Sequence, residues 1–335
     1  MLKWTATEGI TGDRRVWTLI AAISAAVILL FAIGIAWYWS RTPDPFWIET
    51  APVGEDRVIG YATSDTLIRV AETLLDKPGG YLSNDRMPPS VFLDNIPNWE
   101  FGVLQQVRDL ARVMRNDYSR SQSQSREDPD ISVAEPLFFF DHNSWILPAS
   151  ESEYRNAISG FITYRDRLAE SGEDQAQFFA RADNLREWLA QVEKRLGSLS
   201  RRLGDSVATS RINTDLAGDS AAETSSDLGD NVSVGSSWFE IDDVFFEARG
   251  TSWALIHFFR AAELDFEQVL AKKNAKASVR QIIRELEASL QPLRSPVVLN
   301  GSGYGLFANH SLVMANYLAR ANAAVINLRE LLDQG

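Results

Sequence analysis

The sequence predicts an all-α protein in which a single N-terminal transmembrane helix is followed by an antiparallel helical bundle with a long helical hairpin. Three observations support this fold class. Residues 16–39 form an uncharged apolar run, later stretches repeat apolar residues at alternating spacings of four and three, and two polar segments separate those stretches. The first pattern is typical of a membrane span, and the second is typical of helices that pack along one face.

The apolar run extends over 24 residues without a charge, from Val16 to Trp39. With a rise of about 1.5 Å per residue, a helix of this length crosses a hydrocarbon core of about 30 Å. The alternative is a cleaved signal peptide, because Arg14 and Arg15 precede the run. A signal peptide would have an apolar region of about 7–15 residues and a small-residue cleavage site. This run is longer and ends in Ala36-Trp37-Tyr38-Trp39, so an uncleaved span is predicted.

Basic residues flank the span unequally. Lys3, Arg14 and Arg15 precede it, whereas only Arg41 and Arg57 follow within the next twenty or so residues. The positive-inside rule then predicts a cytoplasmic N-terminus and a main domain outside the cytoplasm. The reverse orientation, with a cytoplasmic domain, is the alternative.

The predicted span and its orientation define four parts of the chain. They are a cytoplasmic tail over residues 1–15, the transmembrane helix over residues 16–39, an extended spacer over residues 40–57 and a helical domain over residues 58–335. Two prolines early in the spacer favour extended backbone. The spacer is therefore expected to hold the domain close to the membrane.

Apolar residues recur at spacings of four and three in four stretches of the helical domain, which start at Phe178, Ile241, Val279 and Met314. Such spacing places a narrow apolar seam along one side of a helix, as in coiled coils and antiparallel bundles. The helix that follows Ser237 has a second apolar stripe, which predicts a central position in the bundle. Further helices are predicted near residues 64–77, 98–118 and 151–170.

Two polar segments, residues 119–132 and 205–236, are poor in apolar residues. Because such segments bury too little apolar surface to offset the entropy of ordering, both are predicted to be mobile loops. The second segment lies between the two longest predicted helices of the domain. These helices are therefore expected to form the long hairpin, with the mobile loop at its tip.

Charge and cysteine content exclude several classes of function. The formal net charge is −12 and no run of Lys and Arg occurs, so electrostatic binding of nucleic acid or of anionic lipid head groups is not expected. The absence of cysteine removes disulfides, thiolate metal sites and cysteine nucleophiles. No metal site and no cofactor is predicted, since the three histidines form neither an HExxH motif nor an i, i+4 pair.

The weak candidates for catalysis are Asp141, His142 and His310. Asp141 and His142 end an apolar run, and both side-chain types can act as acid, base or ligand. Neighbouring side chains in an extended chain point to opposite sides, so the pair alone does not define a site. A short buried segment whose polar end makes turn hydrogen bonds is the alternative. His257 lies among apolar residues and is interpreted as a core histidine.

A turn-rich stretch from Gly79 to Pro89 is a candidate interaction loop. Glycine, proline, asparagine and aspartate favour turns for distinct steric and hydrogen-bonding reasons. The residues that would contact a partner are Tyr81, Asn84, Asp85 and Arg86. The alternative is a structured loop that caps the bundle and contacts only the chain itself.

Three short segments carry a resemblance to a known family. Gly79–Asp85, together with Asn309–Met314 and its continuation Arg320–Ala324, resembles an uncharacterised bacterial inner-membrane family, the domain of unknown function, family 2333. The resemblance covers nearly the whole chain. It implies a location in the inner membrane of Gram-negative bacteria. Together with the orientation predicted from the flanking basic residues, this makes the N-terminus cytoplasmic and the main domain periplasmic. It implies no activity, catalytic residue or ligand.

These observations favour a non-enzymatic envelope protein that acts as a protein-interaction or structural scaffold. The expected partners are the lipid bilayer, through residues 16–39, and an envelope protein or a second copy of the chain. The alternative is an envelope hydrolase or a small-ligand-binding protein that uses Asp141, His142 and His310 between helices. Convergence of those side chains around a cleft would favour this alternative.

Overall fold

The computed structural model describes residues 8–48, 58–121, 126–170, 175–205, 209–212, 231–234, 238–295, 297–301 and 306–334. The helices in these residues are α1 Glu8–Trp39, α2 Tyr61–Asp76, α3 Asn95–Val113, α4 Pro129–Phe138, α5 Ser150–Ala169, α6 Ala182–Gly204, α7 Trp238–Asp265, α8 Glu267–Lys272, α9 Lys276–Ser289 and α10 His310–Asp333. A π-helical turn, Met114–Tyr118, continues α3, and a 3₁₀ turn, Ser90–Phe92, precedes it. Two short strands, β1 Thr209–Ile212 and β2 Asn231–Val234, pair antiparallel with Thr209 opposite Val234.

The predicted all-α fold class is confirmed, because helices dominate the described residues and pack into a bundle. The helices predicted near residues 64–77, 98–118 and 151–170 correspond to α2, α3 and α5. Strands β1 and β2 are a local addition within the segment 205–236. The rest of that segment, on which the predicted mobile loop depends, lies almost wholly outside the described residues.

Helix α1 contains one segment, Val16–Trp39, that is long and apolar enough to cross a membrane, with a mean hydropathy of 2.8. Its most apolar part buries nothing against the bundle, and only scattered positions near its end are partly covered. The Trp39 ring lies against Gly79, where a Cβ would be 2.7 Å from Cγ of Trp39. Gly79 also has a φ of +87°, a conformation that favours glycine. Helix α1 therefore leaves the bundle at one end, here named the α1 end.

The long helices from α2 onward run alternately toward and away from the α1 end. Two contacts at different heights fix each antiparallel pair: Arg165–Asp65 and Arg155–Asp76 for α5 on α2, Arg115–Glu135 and Arg108–Phe138 for α3 on α4, Arg186–Asp333 and Ser200–Ala315 for α6 on α10, and Arg280–Glu263 and Arg260–Glu287 for α9 on α7. The described residues of the connections 77–94, 139–149 and 290–309 consequently lie at the α1 end. The described residues of the connections 119–128, 170–181 and 266–275 lie at the opposite end, the far end.

Helices α3 and α7 lie at the centre and run parallel to each other. The predicted antiparallel bundle contained no such parallel pair. Near their starts, Asn98 Nδ2 donates to Asp243 Oδ1 at 2.6 Å. Beyond their ends, the rings of Tyr118 and Phe266 lie 5.2 Å apart. The predicted central position of the helix after Ser237 is confirmed, because α7 contacts α2, α3, α6, α9 and α10.

A pair of glycines lets α3 and α7 approach this closely. A Cβ on Gly102 of α3 would lie 2.1 Å from the carbonyl oxygen of Glu247 and 2.8 Å from the amide nitrogen of Thr251. A Cβ on Gly250 of α7 would lie 2.0 Å from the carbonyl oxygen of Trp99. Each glycine thus faces the backbone of the other helix, and any side chain there would separate the central pair.

Helices α6 and α7, which flank the segment 205–236, contact each other through features such as the Arg202–Glu247 ion pair. Each of them packs more extensively on another helix, α6 on α10 and α7 on α3. A seam predicts that a helix has a partner but does not identify that partner. The predicted hairpin is therefore embedded in a larger alternating bundle.

The polar segment predicted over residues 119–132 ends earlier than expected, because α4 begins at Pro129. The Asp128 carboxylate accepts a hydrogen bond from the Ile131 N–H at 3.3 Å, and proline at the first helical position has no N–H to satisfy. Ile131 is fully buried. Because this capping signal lies inside a polar run, polar composition alone predicted a loop there. Residues 122–125 of the segment lie outside the described residues.

The first part of the predicted spacer, residues 40–48, contains no helix or strand and follows α7 toward the far end. The Phe46 N–H donates to Nε2 of His257 at 3.0 Å, and the two rings stack 4.0 Å apart. Nδ1 of His257 contacts the Trp253 carbonyl at 2.7 Å. His257 is fully buried, which confirms its interpretation as a core histidine. Residues 49–57 are outside the described part of the chain.

Acidification is expected to weaken the fold through His257. Burial, together with the charges of Arg260 and Arg69, lowers the pKa of His257 to about 4. In the unfolded chain its pKa is about 6.5. The contribution of neutral His257 to the free energy of unfolding is therefore complete above pH 6.5. It falls by up to about 3 kcal/mol as the pH drops toward 4, because the unfolded state binds the proton at a higher pH than the folded state does.

Denaturant unfolding of the chain and of His257→Gln at about pH 7 and about pH 4.5 measures this contribution. Burial raises the pKa of Glu100 and of Asp265, and those shifts favour the folded state on acidification. The informative quantity is therefore the difference between the two chains at each pH. A difference that does not change with pH would contradict the prediction.

Candidate functional site

Asp141 and His142 lie in the connection between α4 and α5, at the α1 end. Oδ1 of Asp141 accepts a turn hydrogen bond from the Asn143 N–H at 3.0 Å. The His142 ring packs beside Phe101, with centroids 5.3 Å apart, and its Nδ1 lies 3.9 Å from Oδ1 of Asp141. Burial, and after it the charge of Arg108, lowers the pKa of His142. The pair thus forms the polar end of a turn, with His142 neutral near pH 7.

The candidate interaction loop is held on this same turn by two buried side chains. The Tyr81 hydroxyl donates to the His142 carbonyl at 3.1 Å, and Asn84 Nδ2 donates to the Ser144 carbonyl at 2.8 Å. Asp85 is partly exposed and Arg86 is exposed. Of the four predicted contact residues, Tyr81 and Asn84 therefore stabilise the chain itself, while Asp85 and Arg86 remain accessible.

A buried ion pair supports the start of this loop. Lys77 and Glu100 contact each other with fully buried side chains. The Glu100 carboxylate also accepts hydrogen bonds from the Leu82 N–H at 2.9 Å and the Ser83 N–H at 2.8 Å. Burial raises the pKa of Glu100, and the Lys77 ammonium opposes that shift. Glu100 thereby joins α3 to the connection 77–94.

His310 is the first residue of α10 and directly follows the connection 290–309 at the α1 end. Its Nδ1 accepts a hydrogen bond from the Leu299 N–H at 3.0 Å, and burial lowers its pKa. Among the described residues, no hydrogen bond, ion pair or ring contact joins His310 to Asp141 or His142. Their contacts therefore do not bring the three catalytic candidates together.

His310 instead lines a cavity of about 320 Å³ between α7, the end of α9 and the start of α10. Its walls combine apolar and basic side chains, including Phe245, Arg249, Leu293, Arg294, His310, Met314 and Tyr317. A second cavity of about 340 Å³ shares Arg249 and extends to residues 42–45 of the spacer. The second cavity is also lined by Asp44, whereas the mixed apolar and basic lining of the first cavity suits an anionic group carried on an apolar body.

Arg249 lines both cavities. Its Nη1 donates to the Gln291 carbonyl at 3.0 Å and its Nη2 donates to the Leu290 carbonyl at 3.1 Å, beyond the last turn of α9. Desolvation lowers the pKa of Arg249, and within the described ranges no carboxylate forms an ion pair with it. A guanidinium carries five N–H donors, so donors and charge remain for a ligand.

The family of the chain is established by its sequence. A family model described as "Uncharacterized protein conserved in bacteria (DUF2333)" matches residues 11–335. The chain belongs to this family. The match includes most of α1 and the whole bundle, which confirms the predicted resemblance. Comparisons with curated proteins and with solved structures found no match.

In this DUF2333 member, one feature of the sequence could have indicated that Arg249 has a special environment. Arg249 is the only Lys, Arg, Asp or Glu between Glu247 and Arg260, in a helix otherwise apolar over much of its surface. An isolated cation at such a position requires an acceptor. Which acceptor it finds depends on the packing of α9, which the local sequence does not contain. The described residues include no group of three or more His, Asp or Glu placed to hold a metal ion.

Proposed function

We propose that this DUF2333 protein is a single-pass protein of the bacterial inner membrane, with residues 1–15 in the cytoplasm and the bundle in the periplasm. The observation that carries this proposal is helix α1, whose apolar segment over residues 16–39 is exposed and leaves the bundle. A core helix of a water-soluble protein would bury such a surface. The excess of basic residues before the span supports the orientation.

The bundle is proposed to act without catalysis, as a scaffold or interaction domain for an envelope protein or a second copy. Among the described residues, no hydrogen bond, ion pair or ring contact joins His310 to Asp141 or His142, which supports this role over hydrolysis. The accessible part of the candidate interaction loop, Asp85 and Arg86, lies at the α1 end. A partner held close to the membrane would meet that end of the domain.

Reporter fusions test the orientation. Alkaline phosphatase fused after Gly335 is expected to be active, and green fluorescent protein at the same position is expected to stay dark. An N-terminal epitope tag is expected to remain on the full-length chain in the membrane fraction. Loss of the tag would identify α1 as a cleaved signal, and a fluorescent C-terminus would reverse the orientation. Crosslinking in intact cells that yields neither a reproducible envelope partner nor a dimer would contradict the scaffold role.

The Arg249 cavity favours a second candidate function, the binding of a small anionic amphiphile at the membrane surface. The specific observation is the desolvated guanidinium of Arg249 beside apolar walls, with Arg294 as a second basic group. Charge-assisted hydrogen bonds from arginine to phosphate or carboxylate are among the stronger polar contacts in proteins. This function would use His310 as a wall residue and would involve neither Asp141 nor His142.

Replacing Arg249 with glutamine is expected to weaken binding of dihexanoyl phosphatidylglycerol by about tenfold or more, because the hydrogen bonds to the phosphate lose their charge. Titration calorimetry on the full chain in a neutral detergent measures the affinity. Arg280→Gln is the matched control, since Arg280 lies on α9, pairs with Glu263 and is outside this cavity. Equal affinities for the two variants, or no binding to the unmodified chain, would remove the cavity from the protein's function.

A further inference from the structure

The large apolar side chains that the bundle leaves exposed are concentrated at the α1 end. The most prominent stand on three connections and are named here the tip residues: Met87 65%, Phe92 78%, Ile146 64%, Leu147 91%, Leu306 101% and Phe307 72% exposed. Toward the far end, the described residues leave fewer large apolar side chains exposed, namely Trp47 80%, Ile59 45% and Val133 70%. Exposed apolar clusters of this kind mark contact with a protein or a membrane.

The three connections that carry the tip residues surround the place where α1 leaves the bundle. Connection 77–94 meets α1 where the Trp39 ring lies on Gly79. Connection 139–149 is tied to it by the hydrogen bond from Asn84 to the Ser144 carbonyl. Connection 290–309 borders the spacer, because Leu293 and residues 42–45 line one cavity. The tips therefore lie at the end of the bundle from which α1 leaves.

We infer that the tip residues insert into the surface of the lipid bilayer and seat the bundle upright on the membrane. This inference rests on the proposed function, since it requires α1 to span the bilayer. If Trp39 lies at the interface, as tryptophan at the end of a span does, the tips at the same end of the bundle face the bilayer. Leucine, isoleucine, methionine and phenylalanine then bury their side chains among head groups and upper acyl chains, as interfacial apolar faces do.

The tip residues are suited to apolar contact with lipid rather than to electrostatic binding. The chain carries a net charge of −12, so general electrostatic attraction to anionic lipids does not supply the binding energy. The contact is instead apolar, and the span holds the tips at a high effective concentration near the bilayer. Each tip side chain therefore needs to contribute only a small binding free energy for the inserted state of the tips to be the most populated one.

The absence of cysteine in the chain allows a direct test with single labelled cysteines in the full protein. Leu147→Cys and Leu306→Cys report two separate tips, so the test does not depend on one variant. Val133→Cys is the matched control, because Val133 on α4 is 70% exposed and lies away from the tips. Leu30→Cys reports the span itself. Each variant carries an environment-sensitive fluorophore and is reconstituted in vesicles of phosphatidylethanolamine and phosphatidylglycerol.

A lipid with a nitroxide near its head group is expected to quench about half or more of the emission at both tips, since interfacial side chains reach about 5–10 Å into this region. Val133→Cys is expected to stay bright and to be quenched by aqueous iodide. Tips that behave like Val133 while a chain-end nitroxide quenches Leu30→Cys would overturn this inference alone. Tips shielded from both quenchers would assign them to a protein partner and also overturn it. An unquenched Leu30→Cys would overturn the proposed span as well.

Discussion

Replacing Gly102 with alanine is expected to destabilise the bundle by about 3 kcal/mol or more, which is the upper range for overpacking a protein interior. The added Cβ would lie 2.1 Å from the Glu247 carbonyl oxygen and 2.8 Å from the Thr251 amide nitrogen. These are backbone atoms of α7, so no side-chain rotation relieves the overlap. Helices α3 and α7 would have to separate, and α7 contacts six of the other helices in the described residues. The damage is therefore expected to spread through the core.

Denaturant unfolding of the full chain in detergent, followed by far-ultraviolet circular dichroism, measures this loss. Gly197→Ala is the matched control, since Gly197 lies inside α6 and the nearest atom to its Cβ would be the Asn322 side-chain nitrogen at 3.4 Å. That variant is expected to gain about 0.5–1 kcal/mol from the better helix propensity of alanine. If both alanine variants were equally stable, the close contact of α3 and α7 would be refuted.

The sequence predicted those features of the fold that depend on local periodicity. The seam from Ile241 and its second stripe placed α7 at the centre, because a helix that is apolar on several faces has to be covered on several faces. The uncharged run ending at Trp39 predicted the one helix that leaves the bundle. Both predictions use only residues within one element, which is the scale at which sequence patterns carry information.

Pairings between distant elements could not be predicted in this way. Gly102 and Gly250 are ordinary glycines in the sequence, and only the crossing of their helices shows why a side chain is excluded at both. His142 and His310 were both candidates for a site, although they lie on different elements and no described hydrogen bond, ion pair or ring contact joins them. The Arg249 cavity depends on where α9 ends relative to α7, a distance of some forty residues along the chain.

Replacing Glu100 with alanine is expected to cost about 3–5 kcal/mol of folding free energy, the usual loss when one partner of a buried ion pair is removed. The Lys77 ammonium would remain fully buried without its counter-ion. The N–H groups of Leu82 and Ser83 would also lose their acceptor. The expected result is a lower midpoint in denaturant and faster proteolysis within the connection 77–94.

Two further variants separate the ion pair from the acceptor role. In the double variant Lys77→Met with Glu100→Gln, the buried ammonium is gone and the glutamine oxygen still accepts from the Leu82 and Ser83 N–H groups, so most of the stability is expected to return. Asp76→Ala breaks the exposed Arg155–Asp76 pair and is expected to cost about 1 kcal/mol or less. If Glu100→Ala cost no more than Asp76→Ala, the connection would not depend on this carboxylate. Since Gly79 in that connection supports Trp39 at the end of α1, the loss of Glu100 is also expected to loosen the attachment of the bundle to α1.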